Sequence, residues 1–347
     1  MKRKSVSELR LIQWLAVFVV LVIAVPIAWK MVAIDRAAVQ SASDDRDRIL
    51  STVSAGRLDQ AWQWSTDYLK NERADAASLK ELGSAFLVAG RPSAAFLLFD
   101  AAAAKGTDGA TDALLAQACL SEGHSFEAAS YADRAVGLGA GGPEGYDLLG
   151  DCLAAAGQYA DAITAYSKVL DGYPFDVPAL QGKAAAFQAI ERYGQAHAIW
   201  DTLIQSLSSD TTEDGKKTLL HAELQRAYSI EGEGRPEEIL TAWTDLLTTA
   251  MAVGDVELRS ESLSGLARHA LSTGDPSSAV VLYREAIPLS TGSRRTYERL
   301  LLAKCLQGMG DAAAARQEVA ALVAETPSAV ATIFSDEDFT PLRAFFF

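Results

Sequence analysis

Nucleophilic and metal-assisted chemistry needs His, Cys and carboxylate side chains at short, regular spacings. The four histidines, His124, His197, His221 and His269, are scattered through the chain. None is read as paired with another His, a Cys or an acidic residue at ligand spacing, so each is assigned a surface or packing role. Cys119, Cys152 and Cys305 form no C-x-x-C pair and are read as small buried hydrophobes. No P-loop, G-x-G-x-x-G or G-x-S-x-G pattern is present. Gly139-Ala140-Gly141-Gly142 is glycine-rich, but Pro143 follows it, so it reads as a linker rather than a phosphate cradle. The abundant carboxylates suggest no acid–base pair. No catalytic, cofactor-binding or metal-binding residue is assigned, and no cofactor is expected.

The elements around these residues carry the information. The chain has 347 residues and a formal net charge of −14, with 49% hydrophobic residues. That acidity argues against a nucleic-acid partner, because phosphate neutralisation needs clustered Lys and Arg. Residues 1–36 carry six basic and two acidic side chains, a net +4, which leaves −18 for the remainder.

From Leu11 to Trp29 the chain reads LIQWLAVFVVLVIAVPIAW, uncharged, with Gln13 its one polar side chain. At a helical rise of 1.5 Å these residues span about 28 Å, the hydrocarbon thickness of a bilayer. Trp14 and Trp29 mark its two ends, where amphipathic rings favour the headgroup zone. Pro26 is tolerated in such a helix. A cleaved signal would have a shorter apolar core, about 7–15 residues, with a small-residue site just behind it. Here Ser41-Ala42-Ser43 lies beyond Lys30, Asp35 and Arg36. The expectation is therefore an uncleaved transmembrane helix over 11–34. It follows a basic cytoplasmic head over 1–10 and precedes a linker over 35–41. The excess of positive charge before the span places the body outside, in the periplasm of a bacterium.

The body is an internal repeat. Gly56, Gly90, Gly123 and Gly157 are spaced by 34, 33 and 34 residues, and 34 more reaches Glu191. Gly234, Gly274 and Gly310 continue the series more widely. Five residues after the turn stand Ala61, Ala95, Ala128, Ala162, Ala196, Ile239, Ala279 and Ala315. Nine after it comes a bulky residue in most units: Phe99, Tyr166, Trp200, Trp243, Tyr283 and Val319. Seven before it stand Gly83, Ala116, Gly150, Ala184, Ala227, Ala267 and Ala303. Joint agreement of turn, small and bulky columns predicts helix pairs that cross closely at small residues and stack through large ones.

The stretch from Tyr146 to Pro174, with Leu149-Gly150, Leu153, Gly157, Tyr159, Ala162 and Tyr166, resembles the tetratricopeptide repeat (TPR). The resemblance extends over residues 42–327 and implies an all-α, right-handed α-solenoid of about eight TPR-like helix pairs. The units fall near 42–75, 76–109, 110–142, 143–176, 177–210, 211–259, 260–295 and 296–327. The first carries Ser65 where a bulky residue is expected and is read as a cap. The sixth is longer and degenerate, and opens with a polar loop over Ser208–Gly215. Residues 328–347 form a C-terminal cap and tail, with a final helix over Ser328–Phe334. Phe345, Phe346 and Phe347 either dock on the last unit or stay exposed as a recognition tag.

The resemblance implies a concave wall, built from the first helix of each pair, that holds a protein or peptide segment. Its expected residues are Lys80, Ser84, Leu87, Gln117, Leu120, Asp147, Asp151, Gln188, Arg268 and Lys304. Leu87, Leu120 and Ala154 would form an apolar strip, with Asp147 and Asp151 favouring a basic partner. Lys80 is followed by Ser84, Ala113 and Gln117, so the Lys/Asn/Arg clamp for chaperone tails is absent.

The expected function is a non-enzymatic interaction scaffold, tethered to the bacterial inner membrane and serving assembly of an envelope complex. Secretion, translocon chaperoning, cytochrome maturation and polysaccharide export are the classes the resemblance suggests. The alternative is a cytoplasm-facing regulator of envelope or lipopolysaccharide biogenesis, although the zinc-binding cysteine tail of such regulators is missing. A more remote alternative is a non-catalytic subunit of an enzyme complex.

Overall fold

The computed structural model describes residues 25–70 and 74–346. The described residues are helical throughout their elements, with no strand among them. Residues 11–24 of the expected membrane span, and Phe347, lie outside the described residues. Among the described residues no helix is long and apolar enough to cross a membrane.

The chain divides into two compact units, one ending at Ala165 and one beginning at Tyr166. The first contains α1 (Val25–Ser54), α2 (Leu58–Tyr68), α3 (Ala76–Val88), α4 (Pro92–Ala103), α5 (Gly109–Glu122), α6 (Ser125–Gly137) and α7 (Pro143–Ala155). Helix α8 (Tyr159–Gly172) spans the division. The second contains α9 (Val177–Ala189), α10 (Tyr193–Leu207), α11 (Glu213–Glu233), α12 (Pro236–Val253), α13 (Val256–Ser272) and α14 (Pro276–Ala286). It ends with α15 (Gly292–Gly308), α16 (Ala312–Glu325), α17 (Ala329–Ser335) and a 3-10 segment, Glu337–Phe346.

Residues 35–41, expected as a linker, are instead part of the continuous 30-residue helix α1. No Gly or Pro interrupts 27–54, so nothing stops the helix. The polar stretch Ser208–Gly215 is a loop only as far as Thr212. Thr212 caps α11 by accepting from Gly215 N, so Glu213–Gly215 form its first turn. Aspartates perform the same task at α3, α5, α9, α13, α14 and α16, and proline opens α4, α7, α12 and α14.

The turn between the helices of a pair needs a left-handed residue. Gly56, Gly90, Gly123, Gly157, Gly234, Gly274 and Gly310 supply φ between +72° and +86°. Glu191 takes the same conformation, at φ +59°, without being glycine.

Packing follows the columns. Every residue of the small column after the turn is buried, as are all six bulky residues and all seven small residues before the turn. Within the second pair, a Cβ on Gly83 of α3 would fall 2.4 Å from Cε1 of Phe99 on α4. Between pairs, Gly182 of α9 faces Tyr166, and Gly265 of α13 faces Trp243 of α12. The large ring of one pair thus fills the groove at a glycine of the next. Ser65 is fully buried, its hydroxyl donating to Ala61 O, and Trp62 meets Phe86 edge-on at 5.8 Å instead.

The C-terminal residues close the second unit. Phe339 and Leu342 are fully buried in one cluster with α15 and α16. Phe345 packs partly buried against that cluster, under the Arg316 guanidinium, and Phe346 stacks edge-on with Phe334. For Phe345 the docked reading holds.

Candidate functional site

The first helices present one face of each unit, set by side chains three, four and seven apart. In the first unit α1, α3, α5 and α7 succeed one another in direct contact. Lys80 on α3 does not stand free there: its Nζ donates at 3.1 Å to Oδ2 of Asp108, the N-cap of α5. The Thr111 hydroxyl and backbone N–H, with Lys80, hold the Asp108 carboxyl down at about 2. Ser84, Leu87 and Leu120 are half-buried, and Gln117 is exposed. Leu87 packs against the core of the first pairs and Leu120 against a separate cluster around Ala116 and Cys152, so the expected strip is divided between two cores. Asp147 is half-buried and Asp151 exposed on α7.

In the second unit the expected wall residues bolt one first helix to the next. Gln188 of α9 donates through Nε2 at 3.0 Å to Gln225 O and to Ser229 Oγ, both on α11. Arg268 of α13 donates to both carboxylate oxygens of Glu231 on α11, at 2.8 and 3.0 Å. Its guanidinium also lies 5.5 Å from the Tyr228 ring centre and 5.4 Å from that of Trp243. Lys304 of α15 donates at 3.0 Å to Asp338 in the C-terminal 3-10 segment. These three side chains, like Lys80 in the first unit, serve cohesion first.

A cleft of about 870 Å³ opens on this face between α11, α13, α15 and α17. The sequence reading placed only Arg268 here. It missed Glu261 and Ser264 on α13, and Arg294, Tyr297 and Glu298 on α15. The available signal was the polar run Ser260-Glu261-Ser262-Leu263-Ser264, broken only by Leu263, inside a helical repeat; the structure buries all five. Glu261 accepts from the Tyr228 hydroxyl through Oε1, while its Oε2 faces the Arg294 guanidinium. Burial pushes the Glu261 carboxyl above its ordinary value, and Arg294 opposes that shift. Glu298 Oε1 accepts from Ser264 at 2.5 Å and from Ser260 at 3.3 Å.

The remaining chemistry-bearing residues are embedded in packing. Cys119, Cys152 and Cys305 are free and buried, and burial pushes their thiols up to about 11, 12 and 11. His197, read as isolated, in fact lies between Glu233, at 2.9 Å from Nδ1, and Asp201, at 3.3 Å from Nε2. His221 meets Trp200 edge-on at 6.2 Å. Among the described residues no group of three or more His, Cys, Asp or Glu side chains could hold a metal ion.

No protein-family model and no curated protein matches the sequence. Solved structures do match the fold. A tetratricopeptide repeat protein from Parabacteroides merdae aligns at a TM-score of 0.51 and 16% identity, covering 76% of this chain and 98% of that one. The C-terminal part of a TPR repeat-containing protein from Cytophaga hutchinsonii aligns at 0.55 and 12% identity, covering 73% and 98%. The fold is that of tetratricopeptide-repeat proteins.

Proposed function

We propose that this TPR chain is a non-catalytic scaffold, held at a membrane by residues 11–34, that offers its first helices to protein or peptide partners of a cell-envelope complex. The observation that carries the reading is the division of labour within each helix pair. Small and bulky columns spend the apolar residues between helices, and the first helices keep a polar, accessible face with Gln117, Asp151 and the cleft around Glu298. Such a face suits recognition of an extended segment.

The tether is supported by the sequence from Leu11 to Trp29 and by the start of α1. Val25, Trp29 and Met31 are exposed apolar side chains there, Trp29 at 75%. Beyond them α1 turns polar, through Asp44, Asp45 and Arg46. An aromatic and a thioether at that level suit the headgroup zone. Confinement to the membrane would raise the effective concentration of the array near membrane partners.

Carbonate extraction of membranes tests the tether, and a C-terminal alkaline phosphatase fusion tests the side. The full chain is expected in the membrane pellet with an active fusion, and a chain lacking residues 1–34 in the supernatant. Release of the full chain by carbonate contradicts the tether. A membrane-bound but inactive fusion would place the array in the cytoplasm and favour the regulatory reading.

A further inference from the structure

Charge in the second-unit cleft does not balance. Arg268 is committed to both oxygens of Glu231, and Arg294 to Glu261. Glu298 remains. Its side chain is 2% exposed and two serine hydroxyls serve its Oε1, while among the described residues its Oε2 has no hydrogen-bond partner and no cation pairs with it. Burying a carboxylate without a counter-charge is costly, and a neutral residue of the same shape would suit a purely structural position better. Two further carboxylates, Asp336 and Asp338, lie near the Tyr297 hydroxyl, and Asp338 is paired with Lys304.

We propose that this cleft seats a Lys or Arg side chain of a partner polypeptide, with Glu298 as the acceptor for its cationic head. An anionic ligand is disfavoured because both guanidiniums are already paired. The apolar surfaces of Tyr297, Leu301 and Ala329 line the same cleft and suit an aliphatic stem. The hydroxyls of Thr296, Thr326 and Thr332 lie on its walls and offer donors and acceptors to peptide groups, which a lone ammonium ion does not need. A cleft of about 870 Å³ also exceeds one side chain and admits neighbouring residues of the segment. The inference rests on the scaffold reading and names the chemistry of its partner.

The test uses the full chain in detergent micelles and a random twelve-residue peptide library displayed on phage. Enriched peptides are synthesised and titrated by fluorescence anisotropy. They are expected to share a Lys or Arg whose replacement by Gln weakens binding about tenfold or more, the loss of a charge-assisted hydrogen bond. Glu298→Gln should weaken the parent peptide to the same extent, and the two changes together should cost little more than either alone. In this variant the side-chain oxygen can still accept from Ser264, so its melting temperature should stay level or rise. A merely structural Glu298 would instead leave the affinity of the parent peptide unchanged, whichever way the melting temperature moves. Enriched peptides that bind the Glu298→Gln chain undiminished, or that lack a basic residue, would overturn the proposal and leave the scaffold reading standing. A library that yields no binder would overturn both.

Discussion

Gly265 of α13 lies against the indole face of Trp243 on α12 so closely that a Cβ there would stand 2.2 Å from Cδ2. Trp243 is fully buried, so the ring has no room to retreat. Gly265→Ala should therefore force the two helix pairs apart and destabilise the chain by about 2–3 kcal/mol. Gly308→Ala, where a Cβ would meet nothing, serves as the control and should leave stability level or slightly raised. Urea titration of both variants checks this.

Glu191 occupies the left-handed turn position that glycine fills in the other pairs. An L-residue with a branched-off Cβ pays about 1 kcal/mol there. Glu191→Gly should raise stability by about that amount, less the added freedom of the unfolded chain. The reverse change, Gly157→Ala, should lower it. Chemical denaturation midpoints of the two variants should move in opposite directions.

Asp112 on α5 is fully buried and is held by Arg134 on α6, whose Nε donates to Oδ2 at 2.6 Å and whose Nη2 reaches Oδ1. Arg134→Met removes the partner and leaves the carboxylate stranded, at a cost of about 3 kcal/mol. Adding Asp112→Asn to that variant should recover part of the loss, because the stranded charge is gone. A double-mutant cycle measured in urea supplies the coupling.

Asp108 caps α5, and its carboxyl is held at about 2, below the ordinary 3.8. A depressed carboxyl favours the folded chain at pH values above about 4. That contribution fades as pH falls from the ordinary value through about 2. Asp108→Ala should cost about 1 kcal/mol near neutrality. The cost should shrink toward zero by pH 2, which paired thermal melts at pH 7 and pH 2 would show.

The repeat was legible because its signal is local and many times repeated. A small residue five after the turn and a bulky one nine after it express a contact between neighbouring helices, and every such residue is buried. Helix pairs and turn positions follow from that alone. The face of the first helices was legible as positions but not as partnerships. Lys80, Gln188, Arg268 and Lys304 bond to residues between 28 and 41 positions away, and no periodicity says which polar side chain will meet which. Glu261 and Glu298 escaped notice for a related reason. Helical spacing marks them as inward-facing, yet a carboxylate is read as solvent-exposed until its neighbours are known. The expected linker over 35–41 is helical because Asp35, Arg36 and their neighbours include no Gly or Pro to stop the helix.

The account stands on a first-helix face that engages another protein. Photo-crosslinking in living cells tests this most directly, with p-benzoylphenylalanine placed at Gln117 on that face or at Leu97, which is 49% exposed on the second helix α4. The account predicts a discrete crosslinked band from Gln117 that contains an envelope protein, is absent from Leu97, and disappears when residues 1–34 are removed. Equal bands from both positions, or none from Gln117, would contradict it.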